Sequence, residues 1–380
     1  MKAVIDFIKE CCKRLSSVYS PEEALAIARR ALEDIYGISR TRQLTYPDED
    51  IPATSEKVLA SKNSSPAGQG LGTQGVRVSQ GAHKTDNGTL NPSDVIERLA
   101  SGEPIQYIAG FEYFCGEKFK VGPGVLIPRP ETEELVNLIA EDVKRDFLSG
   151  DASVPNLRTP ASKTPVKCVR CPGFTDTGIT SGKAGNFSPE AHRSFKIFDV
   201  CTGSGCIAWS LHKILSPRFS SRTLETYGCD ISDTALQYAK GQRITLDRCW
   251  PMFLHYDVLQ SVLPPSNGFS VLKSFIGKLD VIVSNPPYIS EKEKSLMHKN
   301  VLDFEPGQAL FVSDEDPLLF YRKIAEMARE LLYPGGKLYF EINPLFAENL
   351  KQMLKEKGFC NICIISDLTG RLRFARAEHK

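Results

Sequence analysis

No stretch of this 380-residue chain is apolar for long enough to cross a bilayer. The opening residues, Met1 to Lys13, carry Asp6 and Glu10 among their apolar positions and read as an amphipathic helix. The continuous apolar core and small-residue cleavage site of a signal peptide are missing, so the expected compartment is the cytoplasm. An excess of one charge is missing too: 47 Lys and Arg against 46 Asp and Glu leave +1. That is not the global footprint of a nucleic-acid binder, and direct nucleic-acid binding is not expected. The 11 cysteines do not make a disulfide framework in a chain this long. Cys206, Cys229 and Cys363 sit inside apolar runs, where a thiol behaves as a small hydrophobe. Cys168 and Cys171 have metal-like spacing and His192 is near, but no second pair completes a zinc set, and no metal is expected. Two nucleotide signatures fail as well. Gly203 and Gly205 lack the third glycine of a dinucleotide fingerprint, and no phosphate-binding Gly-x-x-x-x-Gly-Lys-Ser/Thr run occurs. No internal repeat is found.

What is present suggests two domains. Residues 1–106 read as helical. Val4, Ile5, Ile8, Cys11, Cys12 and Leu15 recur at helix spacing. Ser20-Pro21-Glu22-Glu23 has a capping serine, a first-turn proline and first-turn acids. A further helix starts near Asn91-Pro92-Ser93-Asp94. Between these helices, residues 61–91 are rich in Gly, Ser, Gln and Asn and poor in large apolar residues, so a flexible loop is expected there. Residues 107–128, with short aromatic runs around Gly110, Gly116 and Gly122-Pro123-Gly124, predict a linking β-hairpin. Residues 129–380 form the second domain, with a helix opened by Pro128-Arg129-Pro130-Glu131-Thr132-Glu133-Glu134. An irregular insertion is expected over about 149–194. Strand candidates then alternate with helices. The strands are Ile197–Val200, Thr226–Cys229, Phe253–His255, Val281–Ser284, Lys337–Glu341, Ile362–Ile365 and Arg373–Ala375. The helices are Cys206–Ile214, Ser232–Asp247, Pro317–Leu332 and Leu345–Lys357. This alternation predicts an α/β fold with an open, mostly parallel sheet covered on both faces.

Three strand ends carry ligand-binding chemistry. The first runs Asp199-Val200-Cys201-Thr202-Gly203-Ser204-Gly205 directly into a helix. Its glycines permit a tight turn that brings backbone groups against a ligand at the carboxyl end of a strand. The second ends at Asp230, a carboxylate able to accept from two ribose hydroxyls. The third ends at Tyr256-Asp257-Val258, where an acid can take an exocyclic amine. Each acid alone reads as a solvated loop residue or a helix cap; the glycine-rich turn and the two acids together, three features at three successive strand ends, read as one site.

The fourth strand ends in Asn285-Pro286-Pro287-Tyr288. The prolines stiffen the turn and lack N–H donors, so the Asn285 side-chain oxygen and the Pro286 carbonyl are left as acceptors beside an aromatic ring. That set suits a planar NH2 group. An amide nitrogen is a poor nucleophile because its lone pair is delocalised. Holding both N–H bonds lets it pyramidalise and aim that lone pair at an electrophilic methyl. Positioning of this kind is worth about 7–11 kcal/mol in well-oriented systems, and fixed dipoles in a water-poor site add to it.

The run Asp199 to Gly205 followed by Asn285-Pro286-Pro287-Tyr288 resembles the class I amino-methyltransferases. Four further segments narrow the resemblance to the HemK/PrmC protein-(glutamine-N5) methyltransferases: Gly102-Glu103-Pro104-Ile105-Gln106-Tyr107 with Gly110, Ile127-Pro128-Arg129-Pro130-Glu131-Thr132-Glu133, Phe304-Glu305-Pro306 with Ala309-Leu310, and Asp367-Leu368-Thr369-Gly370-Arg371 with Arg373-Phe374. The resemblance covers nearly the whole chain outside the two insertions. It implies a Rossmann-like class I methyltransferase with a mostly parallel seven-stranded sheet, a small N-terminal helical domain and a linking β-hairpin. It implies S-adenosylmethionine as cofactor, contacted by Cys201, Thr202, Gly203, Ser204 and Gly205, with Asp230 on its ribose, Asp257 and Val258 bordering its adenine, and Asn285 adjoining it. Asn285, Pro286, Pro287 and Tyr288 would bind the substrate, with Asn285, Pro286 and Tyr288 carrying catalysis. The substrate implied is the glutamine of the Gly-Gly-Gln loop of peptide chain release factors, whose remaining surface would dock on the helical domain of a monomeric enzyme. Cys201 departs from the family, which has glycine there. Asn-Pro-Pro-Tyr is shared with adenine-N6 methyltransferases, so an exocyclic base nitrogen of RNA or DNA is the alternative target. No chemistry follows from the sequence for Arg129 or Glu305. Arg129 either neutralises the methionine carboxylate or pins the hairpin, and Glu305 is expected to order the loop covering the site.

Overall fold

The computed structural model describes residues 3–52, 90–148, 167–168, 194–219, 223–246, 249–260 and 270–380. Almost all of the loop expected over 61–91 and of the insertion expected over 149–194, including Cys171 and His192, lies outside the described residues. The chain divides into two compact units, Met1–Gly110 and Phe111–Lys380. No described helix is long and apolar enough to cross a membrane.

The first unit is helical: α1 (Val4–Leu15), α2 (Pro21–Asp34), α3 (Arg40–Thr45), α4 (Pro92–Ala100) and α5 (Ile105–Ala109). Helix α2 begins where the sequence places its cap. Ser20 Oγ accepts from the Glu23 N–H, and the Glu23 carboxylate accepts from the Ser20 N–H, so two orphan donors are satisfied together. Asn91 caps α4 through its bond from the Ser93 N–H. The stripe Val4, Phe7, Cys11 and Leu15 is buried and shares one core with Ala24, Ala28, Ala31 and Leu32 of α2 and Val95, Ile96 and Leu99 of α4. The alanines on α2 let its backbone come close to α1. The short helices α3 and α5 were not expected, being less than two turns long and without a periodic signal.

The second unit opens with a hairpin, β1 (Phe111–Phe114) against β2 (Glu117–Lys120), followed by α6 (Pro130–Leu148) and β3 (Lys167–Cys168). The remaining elements are β4 (Phe195–Val200), α7 (Cys206–Leu215), β5 (Leu224–Asp230), α8 (Asp233–Lys240), β6 (Met252–His255), α9 (Ser270–Ser274), β7 (Leu279–Ser284), β8 (Ile289–Ser290), α10 (Lys299–Phe304), α11 (Gly307–Leu310), β9 (Phe311–Val312), α12 (Leu319–Leu331), β10 (Leu332–Glu341), α13 (Ala347–Glu356), β11 (Cys360–Ser366) and β12 (Leu372–Glu378). The main sheet has the order β3-β11-β12-β10-β7-β4-β5-β6. All seven expected strands are in it. β10, β7, β4, β5 and β6 run parallel, and β12 is antiparallel to both of its neighbours. The eighth strand, β3, is a two-residue edge piece within the segment expected to be irregular.

Side chains alternate across the sheet. Phe198, Val200, Ile282, Leu338 and Phe340 face one core with Ile324 and Leu331 of α12 and Leu350 and Leu354 of α13. Ile197, Val281, Val283 and Tyr339 face the other with Leu135, Val136 and Ile139 of α6 and Ile207, Trp209 and Leu211 of α7. This period of two explains why the strands read as nearly continuous apolar runs: both faces are covered. One boundary differs from expectation. Helix α8 ends at Lys240 and not near Asp247, because the Gly241 N–H closes the last turn on Gln237. The next residue, Gln242, turns its side chain to bond Lys120 and the Ser204 carbonyl.

Strand order reverses between β4 and β7. From β4 the chain proceeds outward through β5 and β6, whereas β7 and β10 lie on its other side. In open sheets this switch point leaves a crevice at the carboxyl ends of the strands. Val200 pairs with both Cys229 and Ser284, so the loops that follow leave the sheet at one level.

Candidate active site

A cavity of about 240 Å³ sits at this switch point. Residues 200–204, Asp230, Asp257, Val258 and Asn285 line it, together with Arg129, Thr132, Pro306, Gln308, Ala309 and Phe320. The structure thus brings together most of the residues singled out from the sequence. Gly205, Pro286 and Tyr288 are not among the lining residues.

The glycine-rich turn is held from beneath. Ser284 Oγ donates to the Val200 carbonyl at 2.6 Å. Asp199, fully buried, accepts from Thr202 Oγ1 at 2.6 Å and from the Ala208 N–H at 3.2 Å. Its other oxygen has no partner. Burial is the main cause that pushes the Asp199 carboxyl up to about 7. Asp199 is therefore a brace for the loop, tying its start to the first turn of α7. Gly205 has φ of 80°, and a Cβ there would meet Phe253, Trp209 and Ala239 at 3.0–3.1 Å. It is the close-packing glycine of the turn. Cys201 adopts φ of 59°, a left-handed conformation that explains why glycine suits this place.

Asp230 accepts from the Gly203 N–H and the Ser232 N–H, both at 2.9 Å. Burial raises its pKa while these backbone donors oppose the rise. Each oxygen keeps a second lone pair, enough for a vicinal diol. Asp257 accepts from the Leu259 N–H. Half-exposed Ile231 and Leu259 stand beside these two acids. Diol acceptors next to an apolar slot that ends in a carboxylate fit a nucleoside, so the residues present suit S-adenosylmethionine.

Asn285 Nδ2 donates to Thr132 Oγ1 at 3.2 Å, and Thr132 Oγ1 donates to buried Glu341 at 2.7 Å. Tyr288 Oη donates to the other Glu341 oxygen at 3.1 Å. Burial first, and Glu341 second, raise the Tyr288 pKa; burial likewise raises that of Glu341. The Asn343 side chain bonds the Tyr288 carbonyl and Glu293, which fixes the exit of the Pro-Pro turn. Arg129 donates to Glu305 at 2.5 Å, and Glu305 also accepts from the Ile127 N–H. The Arg129 guanidinium is thus engaged on the loop acid. Sequence reasoning missed Thr132 and Glu341 as site residues. The available signal was the one used for Asp230: an acid at a strand end after an apolar run.

No family model matches the chain. It is 38% identical over 285 residues to the release factor glutamine methyltransferase of Bacteroides thetaiotaomicron, spanning 75% of this chain and 79% of that protein. The protein of the same name from Flavobacterium psychrophilum is 35% identical over 286 residues, again 75% and 79% of the two chains. That from Thermodesulfovibrio yellowstonii is 32% identical over 276 residues, 73% and 76%. The chain itself folds into a mostly parallel sheet with its cavity at the switch point. On that combination of sequence and site, the chain belongs to the release factor glutamine methyltransferase family.

Proposed function

We propose that the chain methylates the side-chain amide nitrogen (N5) of the glutamine in the Gly-Gly-Gln loop of peptide chain release factors, in the cytoplasm and as a monomer, acting on protein and not on nucleic acid. The observation that carries this reading is the placement of Asn285. Asn285 lines the cavity, directly after the strand next to the one that leads into the glycine-rich turn, with its side-chain nitrogen already bonded to Thr132 and its oxygen left to accept. S-adenosylmethionine, when bound, supplies an electrophilic methyl on a sulfonium. Asp230 would hold the ribose diol and Asp257 the adenine edge. Asn285 Oδ1 and the Pro286 carbonyl would accept the two N–H bonds of the substrate amide and turn its lone pair toward the methyl. The buried prolines keep that corner stiff and water out. No strong base is required, because the amide proton becomes acidic as the new bond forms. The relatives' names support a release factor as the protein that presents the glutamine, and the Met1–Gly110 unit would receive its remaining surface.

Labelled S-adenosylmethionine incubated with purified release factors tests this reading. Label on the Gly-Gly-Gln peptide is expected, and Asn285→Ala should cut turnover by about a hundredfold or more while cofactor affinity changes little. Label appearing on bulk tRNA or DNA and not on a release factor would decide for the base-nitrogen alternative. Equal losses of turnover and cofactor affinity would remove Asn285 from the substrate side.

A further inference from the structure

A carboxamide has two ends of nearly equal shape. Turning Asn285 over would exchange its acceptor for a donor, and a donor facing the substrate's NH2 group would repel it. The structure contains the feature that breaks this symmetry. Thr132 has one hydroxyl proton, and at 2.7 Å from Glu341 Oε2 it gives that proton to the carboxylate. Only lone pairs then remain on Thr132 Oγ1, so the Asn285 end that meets it at 3.2 Å must be the nitrogen. Tyr288 donates to the second Glu341 oxygen, so both carboxylate oxygens face donors. The polarity runs from Asn285 through Thr132 to Glu341. Thr132 is 2% exposed and Glu341 1%, so water is not at hand to supply a substitute partner.

Burial gives a second argument. Glu341 ends β10 immediately after Phe340, in a place where an apolar side chain would pack without desolvating a carboxyl. A buried carboxyl group contributes little to stability that a well-packed hydrophobe would not. What it contributes here is direction. We propose that Thr132 and Glu341 are positioning residues that lock the Asn285 carboxamide with its oxygen presented to the substrate amide. The inference deepens the proposed function and rests on its reading of Asn285 as the group that grips the substrate. The network also joins three elements, the first turn of α6 and the ends of β7 and β10, so it sets the corner's position as well as its polarity.

The test uses the full chain with labelled S-adenosylmethionine and a release factor. It measures kcat, KM for the release factor, and cofactor affinity by calorimetry. Thr132→Val keeps shape and removes the hydroxyl. It should lower kcat by about ten- to a hundredfold, the scale of one mis-set buried hydrogen bond, with cofactor affinity within about twofold. Thr132→Ser keeps the hydroxyl and should restore most of the rate. Glu341→Gln offers Thr132 either a donor or an acceptor, so the bias weakens and kcat should fall, again without loss of cofactor affinity. Equal losses in Thr132→Val and Thr132→Ser would overturn the proposal, because the hydroxyl would then not be what matters. So would a Thr132→Val kcat within twofold of the parent while Asn285→Ala is inactive, an outcome that leaves the reading of Asn285 intact. Full activity in Asn285→Ala would instead remove that reading, and this proposal with it.

Discussion

Cys201 shows how a single backbone angle constrains the cofactor loop. At φ of 59° a side chain with Cβ costs roughly 1–2 kcal/mol relative to the right-handed region. The conformation persists because Ser284 holds Val200 on one side and the Thr202 N–H bonds the Cys229 carbonyl on the other. Burial pushes the thiol up, far from the range where it would act as a nucleophile. The residue is therefore tolerated for its small size. Cys201→Gly should keep cofactor affinity within about threefold and unfold no earlier than the parent, since relief of the left-handed strain offsets the lost packing. Cys201→Val places a β-branched side chain where φ is positive, an outlier for that class. It should lower stability by about 1–3 kcal/mol and weaken cofactor binding about tenfold by moving the loop. Denaturant melts and calorimetry on the two variants decide. If Val is tolerated as well as Gly, backbone conformation is not what limits this position.

Among elements, the segment 124–129 and the α10–α11 region meet across the cavity, and Glu305 joins them. Its side chain is 1% exposed, accepting from both Arg129 and the Ile127 N–H. Removing Arg129 leaves a buried carboxylate with a single partner, whereas removing both residues leaves none to satisfy. A double-mutant cycle of Arg129→Ala and Glu305→Ala, read out as cofactor affinity, should therefore show a coupling of about 0.5–3 kcal/mol. Strictly additive losses would mean that the two loops are ordered independently. The sequence announced Arg129 and Glu305 as noteworthy but not as partners, because they are 176 positions apart. The same holds for Thr132 with Asn285 and Glu341, 153 and 209 positions apart. The strands and the acids Asp230 and Asp257 were legible because each is a local pattern: an apolar run, then a polar residue at the crevice. Long helices were legible for the same reason. The four-residue α11 and the six-residue α10 carry too few turns to show a period, and α8 was overrun because its apolar pattern continues past the glycine that ends it.

For the molecule as a whole, each unit has its own hydrophobic core, so unfolding need not be a single transition. Asp199 belongs to the second unit and marks that unit's transition. Its folded pKa, about 7, lies above its ordinary 3.8 because burial disfavours the charged form. The sign follows from proton counting. Between these values the folded state binds the proton that the unfolded state has released, so stability falls as pH rises. The contribution is fully present below about 3.8 and lost once pH passes about 7. Asp199→Asn removes the titration and keeps an oxygen for Thr202 and Ala208, while its NH2 takes the place of the oxygen that has no partner. Relative to this variant, the parent's second unit should lose about 1.4 kcal/mol for each pH unit between 4 and 7 at most, and nothing further above that range. The transition of the Met1–Gly110 unit should not respond to the substitution at any pH. Urea melts of both proteins at pH 4, 5.5, 7 and 8.5, followed by tryptophan fluorescence, read the second unit directly, because Trp209 and Trp250 both lie in it. Parallel stabilities of parent and variant from pH 4 to 7 would mean that Asp199 is not held protonated by burial, and its place as a buried brace under the cofactor loop would be lost.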